Sequence, residues 1–243
     1  MANPILNNNR FSSQECILEG EPMTMQGTVS KIFMLFACLV AGAAISVYNL
    51  FTNPPISMML MTGGAIIGFI LVLITCFNVR IAKYTAAPYA LLEGLVLGGF
   101  SAFFEAQYHG IVLQAIGLTF LTLFVMLFLY KARIINYTER LRAVIMTGLL
   151  SIAGIYLIQI VASFFGRGIP AIFDNGPVGI LFSLVVVGFA AVSLIQDFYF
   201  IEESSNRMLP KDYEWFGAMG LMITLVWLYM EILRLLAKLN SRR

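Results

Sequence analysis

Charge is what this sequence has least of: aspartate, glutamate, lysine and arginine together make up 12% of 243 residues, against 60% hydrophobic. An ordinary soluble domain is about one quarter charged and about half apolar, so a fold wrapped in a water-facing surface is excluded. Histidine occurs once, as His109. One histidine cannot supply the paired ligands of an HExxH metalloprotease helix or a zinc site of the usual kind. Nor is there a membrane-embedded histidine to activate Ser101 as a nucleophile. Three cysteines, Cys16, Cys38 and Cys76, make no disulfide framework. No Gly-rich phosphate loop opens a helix, and the last apolar stretch carries Glu231 but no mid-helix lysine for a retinal Schiff base, Lys238 lying at its end. A formal charge of +2 offers no basic surface for nucleic acid. Enzymatic activity is therefore not expected. Prolines are confined to tails, loops and span starts, the informative ones being Pro54, Pro55, Pro88, Pro170, Pro177 and Pro210. Pro88 and Pro177 suit a first helical turn, where the missing N–H is harmless, so no interior proline kink is expected.

What the chain does have is length of apolar run. About 20 helical residues cross a hydrocarbon layer, and seven stretches qualify, at 31–51, 57–77, 86–105, 111–130, 143–165, 177–201 and 216–237. The expected architecture is an all-α integral membrane protein, a seven-helix bundle over residues 31–238. Residues 1–30, with Asn7, Asn8, Asn9 and three glutamates, are expected to form a disordered polar tail without a cleavable signal peptide, and 239–243 a short basic tail. The loops at 52–56 and 106–110 contain no lysine or arginine. Those after the second, fourth and sixth spans carry Arg80, Lys83, Lys131, Arg133, Arg140, Arg142, Arg207 and Lys211. Positive-inside bias puts these loops and the N-terminus in the cytoplasm. The C-terminus, with Lys238, Arg242 and Arg243, then falls on the outer side against the bias, unless the last span is re-entrant. Gly64 and Gly68, and Gly94 and Gly98 with Gly99, are spaced to let helix backbones approach closely.

Inside these runs sit Glu93, Asp197 and Glu231. A carboxylate at mid-bilayer costs roughly 2.5–3.5 kcal/mol even on lenient insertion scales, so each needs a reason for being there. At about 1.5 Å of rise per residue, Glu93 and Asp197 fall in one layer near the cytoplasmic side. Glu105, Glu231 and Arg234 form an outer layer, with Arg234 one turn from Glu231 on the same face as a possible counter-ion. Two close carboxylates in low dielectric cannot both ionise. They share a proton, or bind a hard cation such as Ca²⁺ when both are ionised. The alternative for each is a hydrogen bond that pins two helices, and for Glu105 solvation among lipid headgroups.

Tyr89-Ala-Leu-Leu-Glu93-Gly-Leu, Gln196-Asp197, Ile201-Glu202-Glu203, Asp212-Tyr-Glu-Trp215 and Leu228-Tyr-Met-Glu231-Ile-Leu occur in an order and spacing that resembles the Bax inhibitor-1 (transmembrane Bax inhibitor motif) family, and most closely its bacterial YccA-like members. The resemblance covers roughly residues 25–238. It implies a seven-helix bundle with the last helix near the centre and a passive, pH-dependent Ca²⁺ leak. The family's paired acids fall on Asp197 and Glu231, which become pH sensor and Ca²⁺ ligands, with Glu93 as the other candidate partner of Asp197. The second acid is glutamate, and the separation of the two is longer than in the leak members. The resemblance also implies the bacterial inner membrane, no cofactor beyond Ca²⁺ or protons as permeant ions, and, as the alternative function, binding of a membrane quality-control protease through the N-terminal tail.

Overall fold

In the computed structural model, residues 21–165 and 174–241 are described; Cys16, Pro170, Arg242, Arg243 and the tail before Glu21 lie outside them. Seven helices are long and apolar enough to cross a membrane. They are α1 (Met25–Thr52), α2 (Pro54–Phe77), α3 (Ala82–Gln107), α4 (Ile111–Lys131), α5 (Glu139–Phe164), α6 (Pro177–Asn206) and α7 (Asp212–Asn240), with a 3₁₀ turn (Val79–Ile81) leading into α3. Local chemistry marks the starts. The Thr24 hydroxyl accepts the Gly27 N–H at 3.0 Å, Thr138 does the same for Leu141 at 3.2 Å, and Pro54, Pro55 and Pro177 occupy first-turn positions. Gly110, at φ 81°, turns the chain into α4 in a conformation that favours glycine.

The helices run past the apolar segments at the face that holds the N-terminus. α1 begins at Met25 instead of 31, α3 at Ala82 instead of 86, α6 continues to Asn206 instead of 201, and α7 begins at Asp212 instead of 216. Hydropathy ends where apolar residues end, whereas backbone hydrogen bonding continues through charged residues that find partners. Lys83 lies 3.6 Å from Asp212, Arg207 Nε donates to Glu203 at 2.6 Å, and Arg133 Nη2 donates to Glu202 at 3.0 Å. The longer α3 also corrects the reading of Pro88, which lies inside the helix rather than in its first turn. Its ring removes one backbone donor within α3, one turn before Glu93.

α7 is the centre of the bundle. It touches α1, α3, α4, α6 and the 3₁₀ turn, and Met222, Leu228 and Leu233 on it are fully buried. It is a single unbroken 29-residue helix, not a re-entrant one, so its C-terminus lies on the face opposite the N-terminal segment. α5 lies at the periphery against α6. The α1–α3 crossing is the tightest. A Cβ on Gly94 would fall 2.1 Å from the Leu39 carbonyl oxygen, and one on Gly42 would fall 2.2 Å from that of Leu91. The sequence spacing pointed to Gly94 and Gly98; their partner Gly42 stands in a further small-residue repeat, with Cys38 and Ser46 four residues to either side.

A strap closes the N-terminal face. The Met23 N–H donates to the Leu209 carbonyl at 2.8 Å, Pro22 pairs with Pro210, and Lys211 bonds Glu21. The hydrogen bond and charge of Lys211 hold the Glu21 carboxyl below the usual carboxylate range. Beneath it Glu214, 1% exposed, accepts the Thr24 N–H at 2.8 Å, the Thr24 hydroxyl at 3.0 Å, and Lys31, whose ammonium also lies 5.2 Å from the Trp215 ring centre. Residues 21–30, expected as tail, are thus part of the bundle. Glu214→Ala leaves two backbone-proximal donors and an ammonium without their acceptor, and is expected to destabilise the strap by about 2–3 kcal/mol. Amide exchange over residues 21–30 should accelerate by roughly thirtyfold or more, with α6 and the middle of α7 unchanged.

Candidate functional site

Thr224, Glu231 and Lys238 recur every seven residues along α7. Seven residues are nearly two turns, so the three share one stripe of the helix. The stripe faces α6 and α5. The Thr224 hydroxyl faces Asp197 of α6, Glu231 meets Tyr156 of α5, and Lys238 Nζ donates to the Gly179 carbonyl of α6 at 3.0 Å. A central helix therefore presents polar groups at three depths to a seam otherwise built from Leu194, Ile195 and Leu228, all fully buried.

At the middle level, the Tyr156 hydroxyl donates to Glu231 Oε1 at 2.8 Å. Arg234 Nη1 donates to the same oxygen at 3.0 Å and to the Tyr156 hydroxyl oxygen at 2.7 Å. The guanidinium lies 5.5 Å from the Tyr156 ring centre, so one aromatic residue both bonds and stacks on the cation. The counter-ion expected from the i, i+3 spacing is present, while Tyr156 is a partner that sequence reasoning missed. It stands 75 residues from Glu231 in an apolar helix, and nothing local distinguishes it. The second oxygen of Glu231, Oε2, is buried and accepts no hydrogen bond.

One level toward the N-terminal face, Asp197 Oδ2 is likewise buried without a hydrogen bond, as is Oε1 of its neighbour Gln196. Thr224 divides its hydroxyl, donating to the Gly220 carbonyl at 3.3 Å. Glu231 lies seven residues beyond Thr224, about 10 Å along the helix, so Asp197 and Glu231 are successive levels of one seam. They cannot share a Ca²⁺ ion, whose ligand bonds are only about 2.3–2.6 Å. Among the described residues, no three His, Cys, Asp or Glu side chains stand together to cage a cation.

Glu93 goes elsewhere. It lies beside Tyr89, one turn back on its own helix, and faces Gly68 of α2, whose Cβ position is 3.9 Å from its Oε2. No interaction joins it to Asp197, so depth alone placed them together. Glu105 is neither in the seam nor left to headgroups. Its Oε1 accepts the Gly110 N–H at 2.5 Å and Oε2 that of Val112 at 3.1 Å, capping the entry to α4. Ser101 bonds the Tyr229 hydroxyl at 2.6 Å, pinning α3 to α7 rather than serving as a nucleophile.

Seven membrane-crossing helices gathered round a buried last helix, with carboxylates at two levels of one seam, define an integral membrane bundle. The chain belongs to the Bax inhibitor 1 like family, whose model matches residues 3–241. Comparison with curated proteins finds no match.

Proposed function

We propose that the protein is a pH-sensitive cation leak, for Ca²⁺ or protons, in which protonation of Asp197 and Glu231 sets permeation along the α6–α7 seam. The observation that supports this reading is the pair of buried, unsatisfied carboxylate oxygens, Asp197 Oδ2 and Glu231 Oε2, on one line through the bundle. A buried acceptor without a donor is costly, and a proton or a passing cation relieves that cost. The two acids act in series, with the fully buried Leu194 and Leu228 at depths between them. Glu93 lies aside from this line and acts as a helix-packing acid. The basic loops gather with the strap at one face, which positive-inside bias makes cytoplasmic, in a bacterial inner membrane if the YccA-like resemblance holds for the whole chain.

Ca²⁺ entry into proteoliposomes, followed across roughly pH 6 to 8, tests the reading. Asp197→Asn and Glu231→Gln are each expected to abolish the flux or remove its pH dependence. Flux no greater than that of empty liposomes, with all variants folded, would overturn it. A second reading, a regulator that binds a membrane protease through its N-terminal tail, draws on the strap, which fixes residues 21–23 beside Leu209–Lys211. Deletion of residues 1–20, which spares the Glu214 contacts, should then abolish partner capture and leave flux unchanged. Retained capture removes that reading.

A further inference from the structure

The face at which α7 ends holds a cavity of about 450 Å³ lined by Phe104, Gln107, Tyr108, Tyr156, Asn175, Arg234, Ala237 and Lys238. Its polar wall is made of donors: a guanidinium, an ammonium, two amides and two phenols, with no carboxylate among the lining residues. Arg234 is the centre of it. Among the described residues, Nη1 is the one of its nitrogens that is hydrogen-bonded, to Glu231 and Tyr156, and the side chain is 37% exposed. The guanidinium lies over the Tyr156 ring, 5.5 Å from its centre, and its Nη2–Nε edge carries a fork of N–H donors that matches an oxyanion. Lys238, 5% exposed, donates to the Gly179 carbonyl in the first turn of α6, which holds its ammonium in the wall. The start of α6, which has no side-chain cap, adds the partial positive charge of a helix N-terminus beside Asn175. Two carboxylates act on these cations: Glu231, engaged by Nη1, and Asp174, whose charge acts on Lys238.

We infer that this vestibule binds a phosphate-type oxyanion, with the Nη2–Nε side of Arg234 as a bidentate clamp and Lys238, Asn175 and Gln107 around it. A phosphate monoanion matches the fork, and the cavity has room for it with part of its hydration shell. The level of the cavity, at the membrane-boundary end of α7, permits two sources of that chemistry: free phosphate, or the headgroup of an anionic lipid. The inference does not rest on the leak reading, and its test is a binding measurement.

The purified full-length protein is titrated with inorganic phosphate while its thermal midpoint is followed, and, in nanodiscs of phosphatidylglycerol or phosphatidylcholine, its retained lipids are weighed by native mass spectrometry. Arg234→Lys keeps the charge on Glu231 and removes the fork. Asn175→Leu removes an amide at the mouth without touching the ion pair. Phosphate is expected to raise the midpoint of the wild type, with the apparent Kd weakened roughly tenfold in Arg234→Lys and measurably in Asn175→Leu. Loss of that response without selective lipid retention identifies the free anion. Selective retention of phosphatidylglycerol, reduced by both substitutions and displaced by phosphate, identifies the headgroup. A phosphate response equal in wild type and both variants is general salting-out stabilisation and overturns the inference. So does the absence of both a response and selective retention.

Discussion

Gly94→Val is expected to leave little folded protein, with a loss of about 3 kcal/mol or more and a fall in thermal midpoint of roughly 6–12 °C or outright failure to accumulate. A Cβ at this position would sit 2.1 Å from the Leu39 carbonyl oxygen and 3.0 Å from the Ala43 nitrogen. Both are backbone atoms of α1, so no side chain can swing aside and the two helices must separate. Separation also lifts α1 from Gly98, whose Cβ position is 2.5 Å from the Ala43 carbonyl oxygen. Without a hydrophobic force to drive helices together in lipid, that loss of van der Waals contact is not recovered elsewhere. Gly117→Ala is the matched control. Nothing lies within 4 Å of its Cβ position, so the same kind of change in α4 should be neutral or stabilising by about 0.5–1 kcal/mol. Thermal unfolding of the two variants side by side checks both values. Equal stability of Gly94→Val and wild type would show that the crossing is looser than described.

Arg234→Ala has the next largest effect. Glu231 is 3% exposed, and removing its counter-ion leaves a carboxylate inside the bundle with one donor, Tyr156. Truncating one partner of a fully buried pair costs about 3–5 kcal/mol; because Arg234 is 37% exposed, water compensates in part, and about 2–3 kcal/mol is expected. The sign is diagnostic in combination. Arg234→Met with Glu231→Met should be more stable than Arg234→Ala alone, because the double change removes the orphaned charge along with its partner. If the effects of Arg234→Met alone, Glu231→Met alone and the double simply add, the pair contributes nothing as a pair and Tyr156 alone holds Glu231. The cycle is read by unfolding in detergent and needs no transport assay.

The bundle was legible because bilayer thickness turns hydropathy into helix count, and all seven apolar runs became helices. What hydropathy could not show was how far helices extend beyond the apolar residues, since Lys83, Glu203 and Asp212 stop a hydropathy count but not a backbone ladder. Pro88 was misplaced for the same reason. The site was legible where its logic is local: Arg234 lies three residues from Glu231 on one face, and the structure pairs them. It was not legible where the partner comes from another helix. Depth along a helix axis fixes a level but not an azimuth, so Glu93 and Asp197 looked like neighbours although Glu93 faces α2 and Asp197 faces α7. Glu214 illustrates the converse. It lies within a motif that carried the family resemblance, yet its task as acceptor for Thr24 and Lys31 depends on residues near the other end of the chain.

That last contact has a consequence for biogenesis. Thr24 and Glu214 are 190 residues apart, so all six preceding helices are synthesised before the acceptor for the first helix. Until then Lys31 has no carboxylate, and Met23 has no carbonyl from the Leu209 turn. The start of the protein therefore reports on whether its end has been made. A chain arrested before the seventh helix keeps an unfastened beginning, available to whatever surveys unfinished membrane proteins, and a completed one withdraws it.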